Sequence, residues 1–137
     1  MGLTVLDAGV LIGFLDRNDA HHVSSYGALT AALGRNDRIT LPASAYAEAL
    51  VGPSRRGPAA VVSVEQLIDR LPIKIEPLSQ PIATAAALLC AKHPSIKLPG
   101  ALVIGTAKAL DADLIITTDR RWPARGKIGL RATITKL

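Results

Sequence analysis

The sequence predicts a three-layer α/β/α fold, with helices on both faces of a mostly parallel central sheet, over residues 1–137 as one domain. Short apolar runs rich in β-branched residues alternate with longer stretches of helical periodicity, the pattern of parallel strands joined through helices. The two clearest runs each lead into an acid, Leu3–Leu6 into Asp7 and Asp113–Thr118 into Asp119. Hydrophobic residues make up 49% of the chain but aromatics only 3%, so the core is Ala, Leu, Val and Ile, which suits helices packed closely on a sheet. A chain this long buries about two thirds of the surface it exposes when unfolded, enough for one core.

Leu3-Thr-Val-Leu6 reads as a buried strand, and Ala8–Leu15 as a short helix after it. Asp7 stands between them. A carboxylate between two hydrophobic elements is costly to bury unless it is paired, hydrogen-bonded or bound to a metal. As a helix cap it would accept a backbone hydrogen bond; at the carboxyl end of a strand it would face the crevice where open α/β sheets bind ligands. Asp16-Arg-Asn-Asp19 is a polar turn, and Asp19 is placed to cap a helix over His21–Leu33 that Gly34 and Asn36 end. Arg38–Leu41 is a short strand. Pro42 suits the first turn of a helix running to Val51, with Gly52-Pro53 as its stop and Ser54-Arg-Arg-Gly57 as an exposed loop. Val61, Val64, Leu67, Ile68 and Leu71 recur at helical spacing over Pro58–Leu71, and Ile73–Glu76 is a third strand. Ser79 caps an Ala-rich helix that ends near His93-Pro94, and a further helix covers Gly100–Leu110. Asp113–Thr118 is the fourth strand, Arg120–Gly129 a loop and Leu130–Thr135 the last strand.

The totals exclude several classes. No apolar run approaches the ~18 residues of a membrane span; the longest near-continuous one, Ile82–Ala91, reads as a core helix. The first apolar run lacks a preceding basic region and is interrupted by Asp7, so it is not a signal peptide. A single cysteine, Cys90, excludes an internal disulfide and fits a cytoplasmic location. The net charge is +5, and between Arg120 and Leu137 stand Arg120, Arg121, Arg125, Lys127, Arg131 and Lys136 with no acid. Such a segment is either a solvated basic edge or a contact for a polyanion, nucleic acid first.

Most of the eleven acids have ordinary roles in turns or on polar helix faces. Asp7, Glu48 and Asp119 are left over. Parallel strands would bring Asp7 and Asp119 to the same edge, and Glu48 sits in the small apolar helix stretch Ala43-Ser-Ala-Tyr-Ala-Glu-Ala-Leu50 after a strand. Carboxylates converging in one crevice repel one another unless a cation sits between them, and hard oxygen ligands select Mg²⁺ or Mn²⁺ over zinc. Such a site serves phosphodiester hydrolysis. Arg120 and Arg121, beside it, are equally suited to RNA phosphates and to loop solubility.

The chain resembles PIN-domain proteins along nearly its whole length, and among them the VapC-like toxins of bacterial toxin–antitoxin pairs. The residues that carry the likeness are Leu6-Asp7-Ala-Gly-Val-Leu-Ile12, Tyr46-Ala-Glu48, Leu98–Ala107 and Ile115-Ile-Thr-Thr-Asp119-Arg-Arg-Trp122. The resemblance implies an endoribonuclease dependent on Mg²⁺ or Mn²⁺, a homodimer silenced by a cognate VapB-like antitoxin. By position it implies Asp7, Glu48 and Asp119 as metal ligands, with Thr117 supporting the first Asp through a hydrogen bond. It also exposes a departure. Where the family reads Leu-Pro-Asp-Ala, this chain has Leu98-Pro-Gly100-Ala101. Glycine ligates nothing, and an acid in a helix's first turn would have been favoured by the dipole. Gly100 therefore reads as an inactivating change from Asp or as a natural, degenerate site. Either way, weakened metal binding and poor or absent hydrolysis follow.

A rival function is a non-enzymatic module that only holds antitoxin or RNA. Phosphate-handling α/β domains are disfavoured, because position 9 is Gly where a dehalogenase-like phosphatase wants Asp and position 8 is Ala where a receiver wants an acid. There is no P-loop. His21 and His22 point about 100° apart on a helix and make no joint ligand face. Ser44 has no histidine placed to activate it. Tyr26 and Trp122 are expected to pack, Trp122 against the sheet edge, and Gly105 to permit close helix packing.

Overall fold

The computed structural model describes residues 1–137. Its five strands are β1 Leu3–Leu6, β2 Arg38–Pro42, β3 Ile73–Glu76, β4 Leu114–Thr117 and β5 Thr133–Lys136. The six helices are α1 Ala8–Leu15, α2 His22–Gly34, α3 Ala43–Arg56, α4 Pro58–Arg70, α5 Gln80–Lys92 and α6 Leu98–Ala109, and a 3₁₀ turn covers Arg125–Ile128. The sheet is parallel throughout, in the order β3-β2-β1-β4-β5. All four β1 residues are buried, which requires cover on both faces of the central strand. The main apolar cluster runs from Leu3 to Ala132 and joins β1, β2 and β4 to helices from α1 to α6.

This order places the site. The chain builds outward from β1 to β2 and β3, then returns to lay β4 and β5 on the other side. The direction of winding reverses between β1 and β4, and ligands of open α/β sheets bind outside the carboxyl ends at such a reversal. Leu6 pairs with Ile116 in register, so Asp7 and the residues after Thr117 leave the sheet side by side.

Several boundaries differ from the sequence expectation. Pro53 does not stop α3, which continues through Ser54-Arg55-Arg56. Proline forfeits a backbone bond and crowds the carbonyl four residues back. Here its ring is buried on the helix's inner side. Gly57 ends the helix instead, at φ 124°, which glycine reaches without a side-chain penalty. Pro42 closes β2, and α6 begins at Leu98 with Pro99 in its first turn. The loop after Asp119 holds the 3₁₀ turn, and β5 starts only at Thr133, after Gly129 in the left-handed region. Tyr26 is half exposed, stacked on Phe14 at 5.5 Å. Trp122 is buried, and Gly105 packs as expected, with a Cβ there 3.1 Å from the Ile82 carbonyl oxygen.

The opposite end of the sheet accounts for two acids outside the site. Asp37 accepts from Gly2 N at 3.0 Å, Thr4 Oγ1 at 3.1 Å and Arg35 Nη2 at 2.8 Å, and Asp113 accepts from Leu3 N at 2.8 Å. Together they pin the start of β1. Asp37→Ala strands the fully buried Thr4 hydroxyl and a backbone N–H, and is expected to cost about 2 kcal/mol in urea unfolding.

Candidate active site

Asp7 begins the site because β1 ends and α1 begins on it. Its backbone N donates to the Ile116 carbonyl at 3.0 Å, tying the turn to β4. Its Oδ1 accepts from Ala8 N at 2.8 Å at the head of α1. Its Oδ2 accepts from Thr117 Oγ1 at 2.6 Å, and that hydroxyl also accepts from Asp119 N at 3.0 Å. One buried threonine at the end of β4 thus orients the Asp7 carboxylate and ties down the backbone of Asp119. Glu48 projects from α3 into the same groove, an open cavity of about 610 Å³ lined also by Gly100, Arg120 and Arg121.

The charges are unequal. Burial pushes the Asp7 carboxyl above its ordinary value, opposed by the Thr117 and Ala8 hydrogen bonds and reinforced by the negative charge of Asp119. Burial, with the Asp7 charge behind it, raises Glu48 as well. Asp119 goes the other way. Its side-chain bonds to Arg121 hold its carboxyl below the usual range. Arg121 Nε meets Oδ1 at 3.0 Å and Nη2 meets Oδ2 at 2.9 Å, while Arg121 N donates to Oδ1 at 2.9 Å. The pair is a bidentate fork closed by a turn of two residues.

These elements and this groove agree with one family. A PIN domain model matches residues 4–128. The chain belongs to the PIN-domain family. No curated protein matches it in sequence. Among solved structures, this PIN domain resembles VapBC2 from Rickettsia felis, bound to a DNA fragment from its promoter, at a TM-score of 0.73 and 15% identity over 98% of each chain. VapBC-1 from nontypeable Haemophilus influenzae gives 0.70 and 14% over 98% of this chain and 97% of that one. VapC20 of Mycobacterium tuberculosis, a sarcin–ricin loop cleaving toxin, gives 0.64 and 14% over 82% and 86%. At these identities the likeness is one of fold.

In kind, the PIN domain's donors suit a hard divalent cation, since the groove offers carboxylate oxygens and burial first, a neighbouring carboxylate's charge second, disfavours the charge of two of the acids. In arrangement they are incomplete. No three His, Cys, Asp or Glu side chains stand close enough together to hold one ion. Asp119 faces Arg121, and Gly100 contributes nothing. Asp7 and Glu48 remain as the pair that would hold a cation, with Asp119 joining once it parts from Arg121.

Two further rim residues were not singled out by sequence as site residues. Lys97 lines the groove just before α6 begins. Its only sequence signal was its place ahead of Leu98-Pro99. His21 also lines it, with its ring 3.7 Å from Asp19, while the His22 ring turns away to the Gly13 carbonyl at 2.8 Å. The two histidines share no face, as their spacing implied. Gly9 has a local reason: a Cβ there would run into the Thr118 hydroxyl, so α1 passes the end of β4 at backbone distance.

Proposed function

We propose that this chain is a VapC-like toxin endoribonuclease with a weakened Mg²⁺ or Mn²⁺ site, acting as a homodimer restrained by a cognate antitoxin. The observation that carries the reading is the convergence of Asp7, Glu48 and Asp119 on one groove at the winding reversal of a PIN fold. The cationic rim supports RNA as the substrate. Lys97 and Arg120 reach the groove without a carboxylate partner and are free for phosphodiester oxygens. A bound divalent cation would polarise the phosphate and activate water there. Asp7 and Glu48 would hold it, Thr117 fixing the rotamer of Asp7. In the hydrolysis a water oxygen bonds to phosphorus, the P–O3′ bond breaks and O3′ takes a proton. The products are a 5′-phosphate and a 3′-hydroxyl. An antitoxin segment bearing a basic side chain would fit the same acidic groove.

The bidentate Asp119–Arg121 pair and the bare position 100 favour a second reading, a module that binds RNA or antitoxin without turnover. Purified protein incubated with total RNA in Mn²⁺, Mg²⁺ or EDTA separates the two. Slow cleavage that requires the metal is the expected result. RNA binding with no cleavage in any of the three would establish the binding module instead.

A further inference from the structure

We propose that Gly100 and Trp122 are one packing unit that shapes the groove against a fourth carboxylate, the indole of Trp122 standing where a side chain at position 100 would begin. A Cβ built on Gly100 meets Trp122 Nε1 at 2.9 Å and both Cε2 and Cζ2 at 3.2 Å. All three lie inside the roughly 3.5–4.0 Å at which such contacts are favourable. The obstacle is not the loose end of a flexible chain. Trp122 is 3% exposed and belongs to the main apolar cluster, and its carbonyl accepts from Lys136 Nζ of β5 at 2.5 Å. Gly100 is equally fixed, since it lies in the first turn of α6 between Pro99 and the fully buried Ala101.

Glycine at 100 therefore has a structural reason that its sequence context does not disclose. Its φ is not in the left-handed region, so backbone conformation does not demand glycine there. What demands it is the indole. An aspartate would place its Cβ on Nε1 and its carboxylate beyond, so restoring the acid alone forces either α6 or the loop after Asp119 outward. The two positions specify the groove together: an indole with no acid, or an acid with a smaller residue at 122.

The packing part of this inference stands without the nuclease reading, and only its metal-binding part rests on it. Gly→Ala inside a helix ordinarily raises the melting temperature by a few degrees. Here Gly100→Ala is expected to lower it by about 3 °C or more in the natural background, because overpacking a filled core outweighs the helix gain. In a Trp122→Leu background the same change is expected to raise it. For Mn²⁺, followed by calorimetry or by the electron paramagnetic resonance of the free ion, Gly100→Asp alone is expected to leave affinity within about threefold. Gly100→Asp with Trp122→Leu is expected to tighten it by about tenfold or more, as a recovered ligand should. A rise in melting temperature for Gly100→Ala in both backgrounds overturns the packing unit. So does equal tightening of Mn²⁺ by Gly100→Asp with and without Trp122. If the melting temperatures reverse sign as expected but no variant binds Mn²⁺, the pair stands and the metal-site reading fails. Should the Trp122→Leu variants fail to fold, Gly100→Ala in the natural background still decides, since a rise there overturns the proposal.

Discussion

Asp7→Asn is expected to lower Mn²⁺ affinity by about 100-fold or more, and metal-dependent RNA cleavage with it. Loss of partners that only orient a metal ligand costs about 10- to 100-fold, and Asp7 would be a direct ligand. The substitution has a second, opposite signature in stability. The raised carboxyl of Asp7 means that the folded protein holds that proton more tightly than the unfolded chain does, so the contribution of Asp7 to stability is full below the unfolded carboxyl value. It is lost as pH rises through the folded one. Asparagine carries no charge to bury and removes this slope. It also disturbs the bond from Thr117 Oγ1 at 2.6 Å, because an amide nitrogen in place of Oδ2 cannot accept. That loss is about 1 kcal/mol and independent of pH, so it offsets the gain without hiding its shape. The difference in melting temperature, variant minus natural protein, is expected to grow from pH 4 to pH 8. A flat difference would mean that Asp7 is not strained by burial.

The strand-end acids were legible in the sequence because parallel strands leave a sheet at the same edge, and two apolar runs ending on acids need no further geometry. Thr117 was legible through the family resemblance, and its hydrogen bond to Asp7 is present. The helices over Ala8–Leu15 and Pro58–Arg70 were legible from apolar periodicity alone. Pro53 misled, because a proline's cost is local whereas the burial that retains it is tertiary. The pairing of Arg121 with Asp119 was hidden for a related reason. Residues two apart meet only if the turn between them folds back, and charge patterning read either arginine as equally free. The contact of Trp122 with Gly100 joins a loop to the first turn of a distant helix, so no periodicity reports it. What escaped the sequence was thus the state of the groove's surroundings rather than which acids line it.

Arg121→Ala is expected to tighten Mn²⁺ binding by about tenfold, the reverse of what loss of an RNA contact alone would do. The guanidinium occupies both oxygens of Asp119, so a cation must displace it before that carboxylate can ligate. The stability cost should be small, because Arg121 is 68% exposed and solvent screens the pair. Removing it also predicts a change in acid sensitivity. A lowered carboxyl contributes stability that is present above its unfolded value and lost as pH falls through the folded one. Without Arg121 that contribution shrinks, so the melting temperatures of the two proteins should converge as the pH drops below about 4, where unfolded Asp protonates. The same substitution removes a cation from the rim of the groove, so RNA affinity measured in EDTA should fall or stay level while Mn²⁺ affinity rises. Arg120→Ala, which frees no carboxylate, should weaken RNA binding and leave Mn²⁺ unchanged. If both arginine variants behave alike toward Mn²⁺, Asp119 takes no part in holding the ion, and the site reduces to Asp7 and Glu48.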